Sequence, residues 1–359
     1  MGTWGFKGGL KWINSGFVEN KELNIAVLNE LDREFELPEG CLIVPGLVDF
    51  HCHVWAPGAS VGVTDIEYLS SGVVACVDAG TFGYDGWVNA DRLWQNSSIE
   101  IRSWLSVLPE GLTIHPNPNP TKPENISMER LLETASLAGD RLYGYKVRLG
   151  QLDAENDRGL LQVARAAAEK SGLRMMVHLT GSSLTIEEVL DILRPGDILT
   201  HPYHGKRGNI LDSNGSVSTC FLEAVEKGLL LDVGQGSKHF SWKVFKRAIS
   251  EGLKPHFISS DIVRNTWKKP PVDDMSYIVS RFIAGGLSED EVFSTLLKNA
   301  TGFMGIEIDS TKNLLVLQPD HSEVHYSDSE EILVGNIRYS PIVQIHNGKS
   351  VFVSDHLSK

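Results

Sequence analysis

The chain has 359 residues, with 33 Lys and Arg against 46 Asp and Glu and a formal charge of −13. That balance excludes a nucleic-acid partner, which needs a basic face for phosphate, and argues against docking on an anionic membrane. With 42% hydrophobic and 22% charged residues, the chain is an ordinary globular protein, neither disordered nor fibrous.

No apolar run reaches the ~18 residues of a membrane helix, and the first ten residues lack the apolar core of an export signal. Cys41, Cys52, Cys76 and Cys220 form no CxxC pair. They are expected to stay reduced, in a cytoplasmic protein.

In chain order, residues 4–37 come first, with a short alternating segment at 24–28. Eight short apolar runs follow, at 42–50, 73–77, 101–107, 143–147, 174–177, 198–200, 229–233 and 257–260. Their apolar character on both faces is that of buried parallel strands. Helical spacing lies between them at 128–138, 158–170, 186–193, 217–227, 241–251 and 274–284. Gly172, Gly228 and Gly252 follow three of these helices, where a left-handed residue ends the turn. Residues 112–124, with four prolines, are expected as an extended loop. The C-terminal part again holds short alternating segments, at 314–317, 332–334 and 342–345, with a turn at His346-Asn347-Gly348-Lys349. The expected fold is α/β: a (β/α)8 TIM barrel over 41–305, with a small β-sandwich domain built from 1–40 and 306–359. A doubly wound sheet is less apt, because no GxGxxG turn is present.

Such barrels carry their chemistry at the C-terminal ends of the strands. There the first run ends in Asp49-Phe50-His51-Cys52-His53 and the fourth in Lys146, with Arg148 beyond. The fifth, sixth and eighth end at His178, His201 and Asp261. His51 and His53 are two apart, so in an extended segment they face one side. An isolated HxH pair, or one strand-end histidine, is more often structural than a ligand. Four histidines, a lysine and an aspartate at one rim, with no ligand-type residue spent elsewhere in those strands, make a metal centre. Imidazole and carboxylate suit Zn2+, with Mn2+, Fe2+ or Ni2+ as alternatives. An ammonium repels cations, so Lys146 fits once it has reacted with CO2, because the carbamate is anionic and can bridge two metals.

The segment Val44-Pro45-Gly46-Leu47-Val48-Asp49-Phe50-His51-Cys52-His53, with Lys146, His178, His201 and Asp261, resembles the amidohydrolase superfamily, most closely its dihydroorotase-like binuclear type. Residues 71–81, 143–148 and 199–206 are similar to a branch often labelled dihydroorotase or adenine deaminase that includes deacetylases. The resemblance implies that His51, His53 and Asp261 bind the more buried of two divalent ions, and His178 and His201 the more exposed one. Carboxylated Lys146 and a hydroxide would bridge them, and Asp261 would serve as general base and acid. The implied reaction is hydrolysis of an amide, cyclic amide or ester of a small-molecule substrate. Candidate substrate contacts are Arg148, for a carboxylate, and Tyr203, His204, Gln235, Ser237, Lys238 and His239, the last as an oxyanion donor. His115, His256, His321, His325, His346 and His356 are expected to be non-ligands and Cys52 a packed thiol. Two features depart from the pattern. Gln235 stands where many relatives carry a histidine, and residues 314–324 lack a Gly-x-Ala-Asp motif. Competing readings are a cyclic ureide hydrolase, a deaminase, which Lys146 argues against, and an inactive scaffold, which the complete ligand set argues against. A homo-oligomer is compatible with the sequence.

Overall fold

The computed structural model describes residues 1–328 and 330–357. Ser329, Ser358 and Lys359, within the span 306–359 assigned to the small domain, lie outside the described residues. Seven parallel strands form one sheet in strict chain order: β1 (Leu47–Cys52), β2 (Val73–Ala79), β3 (Glu100–Ser106), β4 (Leu142–Arg148), β5 (Arg174–His178), β6 (Ile198–Thr200) and β7 (Leu230–Asp232). The eighth run, 257–260, is not a regular strand. It closes the ring through single bridges, Asp232 to Phe257 on one side and Cys52 to Ile262 on the other. Its backbone is nevertheless paired: Val233 N–H donates to Phe257 O at 3.0 Å, and Asp261 N–H to His51 O at 2.7 Å. The result is a TIM-type barrel with seven regular strands and an irregular eighth arm.

The apolar run 42–50 proved to be two strands. Leu42–Val44 joins a six-stranded sheet, in the order Lys349–Val353, Arg338–His346, Leu314–Asp320, Leu42–Val44, Leu10–Ile13, Gly16–Glu19, while Leu47–Cys52 enters the barrel. Gly46 makes the break with a φ of +134°, and a Cβ there would sit 2.6 Å from the Val74 methyls. A second sheet, Leu23–Val27, Gly2–Lys7 and Arg33–Glu36, covers one face of the first. Trp4, Phe6, Phe35, Ile43, Val316 and Ile345 form the sandwich core between them. Leu42, Val44, Leu315 and Leu317 alternate with these residues and pack into the main core instead. The central strands of this sheet, Leu42–Val44 and the first half of Leu314–Asp320, are therefore buried on both faces, so the alternation expected at 314–317 is one between two cores and not between core and solvent.

The helices match their periodicity closely, as at Met128–Ala138 and Ala154–Ser171. Gly172 ends the latter in the left-handed region, and Asp274 caps Met275–Ala284 through the Tyr277 N–H. The four cysteines are free thiols. Among the described residues no helix is long and apolar enough to cross a membrane.

Candidate metal centre

The strand ends at one mouth of the barrel line a narrow cavity whose walls include His51, His53, Lys146, Arg148, His178 and Asp261. Ligand-type atoms gather there in two groups, His51–His53–Asp261 and His178–His201–His239, each with its atoms within 4.8 Å of one another. Asp261 lies between the groups. Its Oδ1 is 3.3 Å from Nε2 of both His51 and His53, and its Oδ2 is 4.0 Å from His201 Nε2 and 3.8 Å from His239 Nε2.

The hydrogen bonds fix which nitrogen of each ring is free. His51 Nδ1 donates to Asp232 Oδ2 at 2.7 Å, and His53 Nδ1 to Thr81 Oγ1 at 2.8 Å. Thr81 can only accept, because its own hydroxyl donates to Asp78. His201 Nδ1 donates to Gly234 O at 2.7 Å. In these three rings Nε2 keeps its lone pair, in His51 and His53 at the cavity wall and in His201 buried without a partner. His178 is reversed: Nε2 donates to Thr180 O at 3.1 Å, which frees Nδ1. A metal-binding imidazole needs its second nitrogen protonated and anchored in this way.

The backbone contributes to the aim. His201 and Asp261 take φ of +63° and +49°, left-handed conformations that cost a non-glycine residue of order 1 kcal/mol or more and concentrate at functional sites. Gly234 makes the room: a Cβ there would lie 2.5 Å from His201 Nδ1.

Lys146 sits among these groups, 6% exposed, with Nζ buried and no hydrogen-bond partner. Burial pushes its ammonium down to about 8, despite the opposing charges of Asp261 and Asp232. Burial likewise holds His178 and His201 well below the ordinary imidazole value, with neighbouring cationic groups adding to it. At Asp261 burial raises the carboxyl, but His51, His53 and His201 outweigh it and hold the group well below the usual range. Converging imidazole lone pairs and a carboxylate are a donor set that fits divalent ions, and the buried, partnerless Lys146 nitrogen beside them is compatible with it only once its positive charge is lost.

Other candidates fall in different places. Arg148 lines the cavity with Lys146, and its Nε is buried without a partner. Tyr203 and His204 are fully buried beneath the rim. Tyr203 packs edge-on against Phe245, and His204 Nδ1 accepts the Lys206 N–H at 3.1 Å. Gln235 is buried with Oε1 unpaired, whereas Ser237 and Lys238 are exposed. Tyr203, His204, Gln235 and Ser237 are not among the residues lining the cavity, and neither are His201 and His239, which approach Asp261 from behind its wall. Cys52 is a packed thiol directed at Val77 O.

Ligand-type residues are, after all, spent elsewhere in the strands. Asp78 in β2 and Asp232 in β7 are fully buried carboxylates, one holding Thr81 and the Val54 N–H, the other holding His51, Thr200 and Ser259. Both interrupt apolar runs, which was a legible signal. Gln151 and Ser106, also on the cavity wall, carried none.

No protein-family profile matches the chain. A deacetylase of Agrobacterium fabrum is 27% identical over 279 residues, 76% of this chain and 68% of that protein. A crystal structure of a dihydroorotase shares 22% identity with a TM-score of 0.84, covering 99% of this chain and 98% of that one. A crystal structure of an adenine deaminase gives 21% and 0.81, covering 97% and 98%. The resemblance to the amidohydrolase superfamily read from the rim residues is borne out by these relatives.

Proposed function

We propose that this amidohydrolase-type barrel is a metal-dependent, deacetylase-like hydrolase of amides or esters, acting on a small substrate that carries a carboxylate. The supporting observation is the convergence of free imidazole nitrogens and Asp261 around the buried, partnerless Lys146. The deacetylase similarity supports the acyl-hydrolase reading. His51, His53 and Asp261 would hold the inner ion and His178 and His201 the outer one, with Lys146 joining them as its CO2-derived carbamate. Zn2+ suits the nitrogen-rich set. When bound, the ions supply Lewis acidity and lower the pKa of a water.

The chain's own groups do the rest. Asp261 borders both ligand groups and accepts the proton of the attacking water, then returns it to the leaving atom. Asp232, Thr81 and Gly234 O lock three imidazoles in the ligating tautomer. Arg148 offers its fork to the substrate carboxylate, a geometry a lysine would not match. In a chain of charge −13, that local cation also draws an anion against the overall field. Four free thiols suit a reducing, cytoplasmic setting.

The test is metal analysis of protein produced with zinc and bicarbonate, intact-mass detection of the lysine carbamate, and a panel of N-acyl amino acids, acetylated hydroxy acids and cyclic ureides. Two equivalents of metal and hydrolysis of acylated, carboxylate-bearing substrates are expected. Ring opening of cyclic ureides alone would instead favour the dihydroorotase-like alternative. A folded protein that takes up no metal, with Lys146 unmodified, would overturn the reading.

A further inference from the structure

We infer that His239 is a third imidazole ligand of the outer ion, so that this ion is held by His178, His201 and His239 together with the group on Lys146. The inference rests on the two-ion reading above and adds a ligand that the strand-end pattern does not supply, since His239 lies seven positions past the end of β7.

The geometry carries it. The His239 ring centroid is 4.4 Å from that of His201 and 4.9 Å from that of His178, and one nitrogen of each ring falls within a common 4.8 Å. None of the three rings donates to another. His178 and His201 spend one nitrogen each on a backbone carbonyl, and His201 Nε2 and His239 Nδ1 are buried without any partner. Three imidazoles packed this closely, with unspent lone pairs and no hydrogen bonds among them, are costly without a shared cation. In a tetrahedral nitrogen set with Zn–N of about 2.0–2.1 Å, ligands stand ~3.3 Å apart, so a shift of the order of 1 Å closes the set. His239 Nε2 lies 3.8 Å from Asp261 Oδ2, too long for a hydrogen bond, so that carboxylate does not take up the ring's other nitrogen.

The loop is built to deliver the ring. Gln235 and Gly236 N–H groups donate to Ser259 and Ser260 carbonyls, and Ser241 N–H to Tyr203 O, so both ends of the loop are pinned. Gly236 takes φ of +47°, and a Cβ there would lie 2.6 Å from both His239 Cδ2 and Asp261 Oδ2. Only glycine leaves space for the His239 ring to lie against Asp261.

The experiment is Co2+ titration of metal-free protein in bicarbonate buffer, following stoichiometry, affinity of each equivalent, and the visible absorption of bound cobalt. Wild type should take two equivalents. His239→Ala and His239→Asn should keep the first and weaken the second at least tenfold, with a changed absorption band, because an amide keeps polarity but ligates poorly. His178→Ala serves as the reference for loss of an outer ligand. A second equivalent of unchanged affinity and spectrum in both His239 variants overturns the assignment while leaving the two-ion reading intact. So does weakening in His239→Ala that His239→Asn fully restores, which would mark polar packing rather than coordination. A wild-type protein that takes up only one equivalent overturns both.

Discussion

Asp232→Asn removes one charge and almost no volume, at a residue that touches no cavity-facing atom. Asp232 is fully buried at the end of β7. Its Oδ2 accepts from His51 Nδ1 at 2.7 Å and from Thr200 Oγ1 at 2.6 Å, and its Oδ1 accepts from Ser259. An amide cannot meet all three donors. Turned one way, its NH2 faces His51, and the ring must move its proton to Nε2, the atom 3.3 Å from Asp261. That proton blocks the inner ion. Turned the other way, His51 keeps its tautomer but donates to a neutral oxygen. A hydrogen bond to a charged group contributes about 1.5–3 kcal/mol and a neutral one about 0.5–1.5, so the loss is roughly 1–2 kcal/mol per bond. Partners that orient metal-binding histidines typically govern 10–100-fold in affinity, about 1.4–2.8 kcal/mol. Asp232→Asn should therefore fold, unfold at a lower urea midpoint, and bind the inner ion roughly 10–100-fold more weakly in competition with a chelator of known affinity. Thr200→Val, which leaves the His51–Asp232 bond in place, should lose less than tenfold. Inner-site affinity within twofold of wild type in Asp232→Asn would refute the argument that this carboxylate sets the ring's tautomer.

Asp261→Asn should remain folded and lose turnover by roughly 10²–10⁴-fold, the range of general acid–base catalysis, with metal content measured on the same samples; near-normal turnover with metal bound excludes Asp261 as the base. Arg148→Met should lower kcat/KM for carboxylate-bearing substrates by about 2 kcal/mol, roughly 30-fold, and neutral esters far less; equal losses would mark Arg148 as structural. The paired bonds from Arg264 to Glu67, with the Thr64 cap, hold the Glu67 carboxyl down at about 2. This stabilisation is present above the ordinary value of 4.5 and lost as pH falls towards 2. Because Arg264 is 39% exposed, solvent screening limits it to roughly 1 kcal/mol. Glu67→Gln should thus lower the urea midpoint at pH 7, and the difference from wild type should vanish near pH 2.

Much of the barrel and its rim follows from local rules. Strand alternation puts His51 and His53 on one side, as it does Lys146 and Arg148, and short doubly apolar runs mark strands buried on both faces. For the same reason the run 42–50 reads as one strand: residues buried on both faces look alike whether they belong to the barrel or to the sandwich. Only the packing of Gly46 against Val74 separates them. The eighth arm reads as a strand too, yet it turns at Asp261, where a left-handed residue exchanges ladder bonds for a carboxylate aimed at the ligands. Sequence reasoning can name loop residues as candidates but cannot place them, because their distance from the site is set by chain closure rather than by period. Tyr203 and His204 follow β6 directly and are buried under the rim, whereas His239, far past β7, returns against His201. Which nitrogen each histidine offers is likewise a tertiary matter. Asp232, Thr81 and Gly234, which anchor His51, His53 and His201, stand on or just beyond other strands, and only barrel closure brings those donors and acceptors within 3 Å; His178 differs, being anchored locally by Thr180 O two residues on.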